Sequence, residues 1–452
     1  MRFTKPTLSF WQIINMNVGF FGIQYSFGLQ QTAINPLYTF LHAKPEELPL
    51  LNLAGPMTGL LIQPLIGAMS DRTWHPRWGR RKPYFLIGAI FCSLTLFAFP
   101  FSKSLWMAAG LLWILDAANN TAMEPYRAFI ADKLPEKQRA MGFLTQSFFT
   151  GLGITLANLS LGFFKNIITG ESTTTDGRSG IPYWVFGSFF VGAICSIVSV
   201  VWSVSTTPEI PPTQEELAEL KAKQTGFGAS IKEILAAIAD MPKIMWVLAL
   251  IYLFQWYAMF CYWQFVSLSI ADSIFHTTPD SNPGLYEQAV VWAGKVNGFY
   301  NIVTFLSAFL LVWLAKKIGA KYVHILCLLM AGAGLLIFPH IAQKELLFVP
   351  MIGFGIAWAS MMGVPYIIVV GSIPKERYGV YMGIINMMIV IPMILQTTTF
   401  GFVYHWLLNS KPTNAIGFAG ILLLLAAFAT TFIKPSKTNT DDTSVPLAAA
   451  GH

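Results

Sequence analysis

Charged side chains are scarce in this chain, and their scarcity excludes the commonest class of protein. Asp, Glu, Lys and Arg make up 11% of the 452 residues, whereas hydrophobic residues make up 54% and the mean hydropathy is +0.56. In soluble globular domains about a quarter of the residues are charged. The composition therefore excludes an ordinary soluble domain and predicts an all-α membrane protein that crosses the bilayer several times.

Cysteine and histidine are also sparse. The chain has four cysteines, each in a separate apolar run, and seven histidines that show no ligand spacing. We therefore expect no disulfide, no metal site and no cofactor, and we find no nucleophile constellation of the kind that an enzyme needs. The net charge of +7 is small for a chain of this length and does not predict nucleic-acid binding. Membrane proteins concentrate basic residues in their cytoplasmic loops.

Twelve apolar stretches are long enough to cross a bilayer as helices. They cover residues 10–40, 48–70, 84–101, 104–131, 141–168, 181–206, 243–270, 290–315, 321–341, 345–371, 380–408 and 414–433. If the N-terminus is cytoplasmic, 21 of the 29 Lys and Arg residues fall on the cytoplasmic side, seven fall outside, and Arg127 lies within the membrane. This asymmetry predicts that both termini are cytoplasmic.

An internal repeat predicts two pseudo-symmetric halves of six helices. PYRAFIADKLPEKQRAMG, which starts at Pro125, resembles PYIIVVGSIPKERYGVYMG, which starts at Pro365. Such parallel repeats place the binding site at the interface of the halves. We assign 1–206 to the N-terminal half, 207–242 to a cytoplasmic linker with short helices, 243–434 to the C-terminal half and 435–452 to a disordered cytoplasmic tail.

The fourth apolar stretch carries charges where a membrane penalises them. A charge at the bilayer centre costs roughly 3 kcal/mol on insertion scales, so such residues usually face the bundle interior. Helical geometry brings Asp116 and Arg127 to within about 20° of each other and about 16 Å apart, with Asn120 between them, whereas Glu124 lies about 80° away. We predict that Asp116, Asn120 and Arg127 form a site for a proton and a polyhydroxylated solute. In the alternative, Asp116 and Arg127 form interhelical salt bridges that only stabilise the bundle.

Amides and aromatic rings recur in other stretches. Asn17, Gln24, Gln31 and Asn35 follow at steps of seven, seven and four residues, which places them on one helical face. We expect this face, and in particular Gln24, Gln31 and Asn35, to line a polar cavity because amides exposed to lipid would be unsatisfied. Interhelical hydrogen bonding is the alternative. Two further residues, Trp256 and Asn301, are candidates for contacts with a sugar.

The second stretch ends just before Asp71, which is followed by the basic turn RTWHPRWGRRKP with its single glycine. Asp71, Gly79, Arg80 and Arg81 are suited to pairing with helix ends in one conformation and releasing them in another. We predict that these four residues form a gate. A plain positive-inside anchor would explain the arginines but neither Asp71 nor Gly79.

Five segments resemble the plant sucrose–proton symporters, which belong to the glycoside-pentoside-hexuronide group of the major facilitator superfamily. These segments are GIQYSFGLQQTAINP, AGPMTGLLIQPLIGAMSD, SDRTWHPRWGRRKPY, LDAANNTAMEPYRAFIAD and MGIINMMIVIP. The resemblance implies a major facilitator fold, with Asp116 as proton acceptor and sugar ligand and Arg127 in sugar binding or coupling. Two departures concern the substrate: Glu124 replaces a small residue, and VSLSIADSIF lacks the family's acidic cluster.

Together these patterns predict a secondary active transporter that couples proton entry to uptake of a glucoside, a disaccharide of the sucrose or maltose type, by alternating access. Its partners would be the sugar, the proton and the lipid bilayer, and we expect a monomer in a plasma membrane or bacterial inner membrane. Two alternatives remain open at this point: an exporter of a drug or organic ion, and a sugar sensor of the same fold that does not transport.

Overall fold

The computed structural model describes residues 6–76, 78–168, 181–209, 211, 236–370 and 378–433. Within these ranges the chain forms twelve long helices, numbered α1 to α12, and no β-strand. The first six are α1 (Phe10–Leu29, continued by a π-helical turn Gln30–Ile34 and by Asn35–Phe40), α2 (Ala54–Arg72), α3 (Lys82–Ala98), α4 (Leu105–Lys133), α5 (Glu136–Ile167) and α6 (Tyr183–Thr206). The second six are α7 (Lys243–Ser273), α8 (Pro283–Ile318), α9 (Ala320–Ile337), α10 (Phe348–Val370), α11 (Tyr378–Trp406) and α12 (Pro412–Thr430). The prediction of an all-α membrane protein is confirmed.

Most of the predicted linker and the whole predicted tail lie outside the described residues, and residues 236–239 at the end of the second predicted linker helix are helical. Nine of the described helices are long and apolar enough to cross a membrane by length and hydropathy alone. The three that fall short of this criterion are α1, α4 and α8, and each carries buried amides or acids. Buried amides also occur in helices that meet the criterion, such as Asn158 in α5 and Gln255 in α7.

Local sequence explains where several helices begin and end. The Ser9 hydroxyl caps α1 by accepting a hydrogen bond from the backbone N–H of Gln12. The Gln12 side-chain oxygen in turn accepts from the backbone N–H of Ser9. The side chain of Ser104 caps α4, and that of Asn282 caps α8. Gly319 separates α8 from α9 at φ +93°, a conformation that residues with a Cβ rarely adopt.

Helix packing repeats after six helices. In the first group, α1 packs on α5 and α6, α3 on α4 and α6, and α2 on α4. In the second group, α7 packs on α11 and α12, α9 on α10 and α12, and α8 on α10. Each contact of the first group therefore recurs six helices later. The two groups contact each other where α5 packs on α8 and where α2 packs on α11. Because α2 is equivalent to α8 and α5 to α11, the repeat relates these two contacts to each other.

An ion pair joins the two groups near the C-terminal end of α5. Lys165 on α5 pairs with the largely buried Glu287 on α8, and the Trp184 Nε1–H on α6 donates to the same carboxylate at 3.0 Å. Phe40 packs edge-on against both Trp184 and Tyr286 beside this pair. This end of the bundle is therefore closed by ionic and aromatic contacts.

Candidate functional site

A cavity of about 960 Å³, including its open part, lies between the two groups of helices. Its wall on the first group comes from α1, α2, α4 and the segment before α2, and its wall on the second group comes from α7 and α11. The polar lining residues are Gln30, Gln31, Asn35, Asn52, Gln63, Asp116, Asn120, Gln264 and Asn386. The aromatic ones are Phe27, Trp256, Phe260 and Trp263. A wall of aromatic rings with a few polar groups is typical of sites for small molecules.

Asp116 is the one ionisable side chain among the described residues that line this cavity. It lies in the middle of α4, is 4% exposed, and its Oδ1 accepts a hydrogen bond from the Gln30 Nε2 at 2.8 Å. Gly55 on α2 lies opposite, and a Cβ at this glycine would be 3.7 Å from Oδ2. This acid therefore lies on the cavity wall beside a neutral amide donor.

The π-helical turn of α1 lies at the level of Asp116. It spans Gln30–Ile34, and the consecutive residues Gln30 and Gln31 both line the cavity. In a regular α-helix, neighbouring residues point about 100° apart. Isolated π-helical turns occur often at functional sites because they alter the direction of side chains locally. The sequence pattern indicated Gln31 but missed Gln30, although the adjacent pair of glutamines was a visible signal.

Asn120 belongs to a chain of hydrogen bonds that crosses the cavity. Its Nδ2 donates to the Thr58 hydroxyl at 3.0 Å, and its Oδ1 accepts from the Gln63 Nε2 at 2.7 Å. The Gln63 Oε1 in turn accepts from the Asn386 Nδ2 on α11 at 3.3 Å. This chain of neutral groups therefore joins the two halves of the bundle.

Asn35 forms a second neutral bridge. Its Oδ1 accepts from the Asn52 Nδ2 at 2.6 Å, and its Nδ2 donates to the Trp263 carbonyl on α7 at 3.4 Å. On the same wall, Trp256 and Trp263 both pack edge-on against Trp358, with ring centroids 5.8 and 5.4 Å apart. The predicted site residues Asp116, Asn120, Gln31, Asn35 and Trp256 therefore surround one cavity.

Two predicted site residues do not line it. Gln24 lies on α1 where α5 packs closely against that helix, and its Nε2 contacts the Met123 sulfur at 3.9 Å. Asn301 on α8 donates to the Asn297 carbonyl at 2.8 Å within its own helix. Neither residue is among those that line the cavity, and for Gln24 the contact with Met123 on α4 agrees with the interhelical alternative.

The side chains of Arg127, Glu124 and Asp71 lie outside the described part of the structure. Their backbones belong to α4 and α2. The roles assigned to Arg127 and Asp71 therefore remain predictions.

The predicted gate turn lies at the opposite end of the bundle from Lys165. Gly79 adopts φ +76°, and the amides of Arg80, Arg81 and Lys82 donate to the Glu209 carboxylate at 2.8, 2.9 and 2.9 Å. Carboxylates are favourable at helix N-termini, and α3 begins at this point.

Two further contacts fasten the same turn to α4 and α2. The Arg81 guanidinium pairs with Asp132 on α4 at 2.9 Å, and its Nη1 donates to the Ser70 hydroxyl on α2 at 2.6 Å. Sequence reasoning missed Glu209 and Asp132. No local pattern indicates them because they meet the turn only in the folded bundle.

Comparison with known proteins agrees with this architecture. Residues 16–397 match the family model of the Major Facilitator Superfamily. The helical bundle and its central cavity define a membrane transporter, and the chain belongs to this superfamily. Among the described residues, no group of three or more His, Cys, Asp or Glu is placed to hold a metal ion.

Similar proteins with curated functions include sucrose transport proteins. The chain is 26% identical to sucrose transport protein SUC4 of Arabidopsis thaliana over 92% of this chain and 89% of the relative. It is 24% identical to sucrose transport protein SUT1 of Oryza sativa subsp. japonica over 99% of this chain and 92% of the relative. The resemblance predicted from the five sequence segments is thereby confirmed, and these relatives are transporters rather than enzymes.

Solved structures with the same fold include two transporters at 15% identity. The nucleoside transporter NupG has a TM-score of 0.67 and covers 94% of this chain and 99% of its own. The xylose transporter XylE from E. coli, in a partially occluded inward-open conformation, has a TM-score of 0.61 and covers 95% and 99%. At this identity the likeness confirms the major facilitator fold.

Proposed function

We propose that this protein takes up a glucoside, a disaccharide of the sucrose or maltose type, together with a proton by alternating access. The observation that carries the proposal is the position of Asp116: an acid buried among neutral amides on the wall of a cavity between the two halves. The curated sucrose transport proteins support the choice of sugar. Amides suit sugar hydroxyls because both donate and accept hydrogen bonds.

The proton and the sugar use the same carboxyl group in this mechanism. Protonation of Asp116 removes a charge that would otherwise be desolvated when the cavity closes around the sugar. Asn120, Gln31 and Asn35 bind further hydroxyls, and the Trp256 ring packs against the apolar face of a pyranose. Arg127 takes part in coupling. After the cavity opens to the other side, release of the proton restores the charge and weakens sugar binding.

The distribution of Lys and Arg supports an orientation with both termini in the cytoplasm. The Gly79 turn is then cytoplasmic and the Lys165–Glu287 pair is extracellular. The protein acts as a monomer in a plasma membrane or bacterial inner membrane.

The test is transport in proteoliposomes. The wild-type protein should exchange labelled sucrose or maltose across the membrane and accumulate it when an inward proton gradient is imposed. Asp116→Asn should lose accumulation by at least about tenfold while it keeps exchange, because the amide mimics the protonated acid and carries no exchangeable proton. Asp280→Asn, which alters an exposed acid between α7 and α8, is the control and should accumulate sugar normally.

Two results would contradict the proposal. Full gradient-driven accumulation by Asp116→Asn would show that this acid does not carry the coupled proton. If the wild-type protein exchanged organic cations but none of a panel of sugars, its substrate would be an organic cation rather than a sugar.

A further inference from the structure

An amide nitrogen without a hydrogen-bond partner belongs to the cavity wall of the second half of the bundle. Gln264 on α7 lines the cavity and is 2% exposed, and its Nε2 has no hydrogen-bond partner among the described residues. A buried N–H group without a partner is destabilising, and the second N–H of the same amide adds to that cost. A group that lies at a cavity wall can recover this cost from a bound molecule.

The orientation of Gln264 is set by a second glutamine behind it. The Gln396 Nε2 on α11 donates to the Gln264 Oε1 at 2.8 Å, and Gln396 itself is fully buried and does not line the cavity. With its oxygen bonded to Gln396, Gln264 keeps two N–H donors that have no partner among the described residues, in a residue of the cavity wall. Gln396 therefore acts as a positioning residue, and Gln264 is the residue that meets the cavity contents.

The two walls are complementary. The first half presents the Asp116 carboxyl group, which in its protonated form both donates and accepts hydrogen bonds, whereas the second half presents Gln264 as a donor. A hydroxyl group can satisfy either residue because it both donates and accepts. A molecule with hydroxyls on two sides is therefore held by both halves at once.

We propose that Gln264, positioned by Gln396, is a specificity-determining residue that donates a hydrogen bond to one sugar hydroxyl and thereby links the second half of the bundle to the bound sugar. This inference rests on the proposed function. It assigns a donor to the second half. The other proposed ligands Asp116, Asn120, Gln31 and Asn35 all belong to the first half.

The chain offers a matched control on the same helix. Gln255 on α7 is 1% exposed, and both polar atoms of its side chain have no partner among the described residues, but it does not line the cavity. Gln255→Leu and Gln264→Leu therefore each remove an amide whose Nε2 has no partner among the described residues, from similarly buried positions. Only Gln264→Leu should change recognition of the sugar.

The experiment measures competition in proteoliposomes. Labelled sucrose or maltose, whichever the wild-type protein exchanges, competes with monodeoxy and deoxyfluoro analogues of the same sugar. A deoxy analogue lacks both donor and acceptor, whereas a deoxyfluoro analogue keeps a weak acceptor. One deoxy analogue lacks the hydroxyl that Gln264 contacts, and the wild-type protein should bind it roughly tenfold more weakly than the parent sugar. The fluoro analogue at the same position should lose less affinity.

Gln264→Leu should bind the parent sugar and that one deoxy analogue within about twofold of each other, because the lost hydroxyl no longer has a donor to meet. Gln396→Leu should reduce the same discrimination partly and leave the other ring positions unchanged. Gln255→Leu should keep the wild-type profile at every position.

The outcomes separate the inference from the proposed function. A wild-type protein that exchanges no sugar overturns the proposed function, and this inference with it. Wild-type exchange with an unchanged analogue profile in Gln264→Leu overturns this inference alone. An equal change in Gln255→Leu also overturns it, since the effect would then come from repacking of α7. Soluble, monodisperse protein from each variant, checked by size-exclusion chromatography, excludes misfolding as the cause.

Discussion

At the scale of single residues, the Gly79 turn depends on a close approach between backbone and carboxylate. The three amides after Gly79 converge on Glu209, and a Cβ at Gly79 would lie 2.5 Å from the Glu209 Cδ. The φ of +76° adds a second restriction on this position. Glycine is therefore required here for both space and conformation.

Gly79→Ala should destabilise the protein by about 1–3 kcal/mol, because the alanine must adopt an unfavourable φ and displaces the Glu209 carboxylate. Thermal unfolding in detergent, followed by tryptophan fluorescence, measures the loss. Gly417→Ala on α12 is the control: a Cβ there meets nothing within 4 Å in the described structure, so it should unfold at or slightly above the wild-type temperature. Equal melting temperatures for Gly79→Ala and wild type would contradict the assigned geometry.

At the scale of helices, α1 is held by small residues on both sides. A Cβ at Gly22 would lie 2.3 Å from the Cys195 carbonyl oxygen and 2.6 Å from the Ser196 Cα on α6. A Cβ at Gly153 on α5 would lie 2.6 Å from the Phe21 carbonyl oxygen. Small residues let helix backbones approach closely in membranes, so α1 is fixed between α5 and α6 while its other face meets the cavity.

Gly22→Ala should therefore separate α1 from α6 and lower both stability and transport. We expect a loss of about 1–3 kcal/mol, as found for overpacked interiors, together with a reduced rate of sugar exchange because Gln30 and Gln31 move with α1. Thermal unfolding and exchange kinetics measure the two effects. Gly110→Ala on α4, where a Cβ meets nothing within 4 Å among the described residues, should change neither. Normal exchange by a destabilised Gly22→Ala would show that α1 packing and the cavity are independent.

The sequence predicts what each helix does alone better than what two helices do together. The length of the apolar stretch placed Asp116 and Asn120 inside a spanning helix. The energetic penalty for a charge in lipid then predicted that Asp116 faces the interior of the bundle. A period of seven residues grouped Gln24 with Gln31, but it contains no information on how closely α5 approaches at Gln24. The partners Gln30 for Asp116 and Gln396 for Gln264 are 86 and 132 residues away, and no local pattern encodes such distances.

At the scale of the whole molecule, the two halves are joined by contacts of different chemistry at different depths. Lys165 and Glu287 form an ion pair at one end, whereas Gln63–Asn386 and Asn35–Trp263 are neutral bridges at the cavity. Alternating access requires that such contacts break and form in turn. The ion pair closes the end of the bundle beside Trp184.

Glu287→Gln should weaken this closure, because Lys165 then lacks its anionic partner in a partly buried position. We expect a loss of about 1–2 kcal/mol, less than for a fully buried pair since the Lys165 side chain is 32% exposed. The exchanged pair Lys165→Glu with Glu287→Lys should recover part of that loss. Thermal unfolding of both variants at low and high salt measures this, and a Glu287→Gln protein as stable as wild type would show that the pair is dispensable.

The neutral character of the bridges at the cavity has an electrical consequence. When Gln63–Asn386 and Asn35–Trp263 separate, no net charge moves through the membrane field, whereas movement of the Asp116 carboxylate carries one negative charge. A full unit charge that crosses 100 mV changes the free energy by about 2.3 kcal/mol. An applied voltage should therefore change the rate of steps in which the empty carrier returns with Asp116 ionised, and leave exchange between sugar-loaded, protonated carriers unaffected.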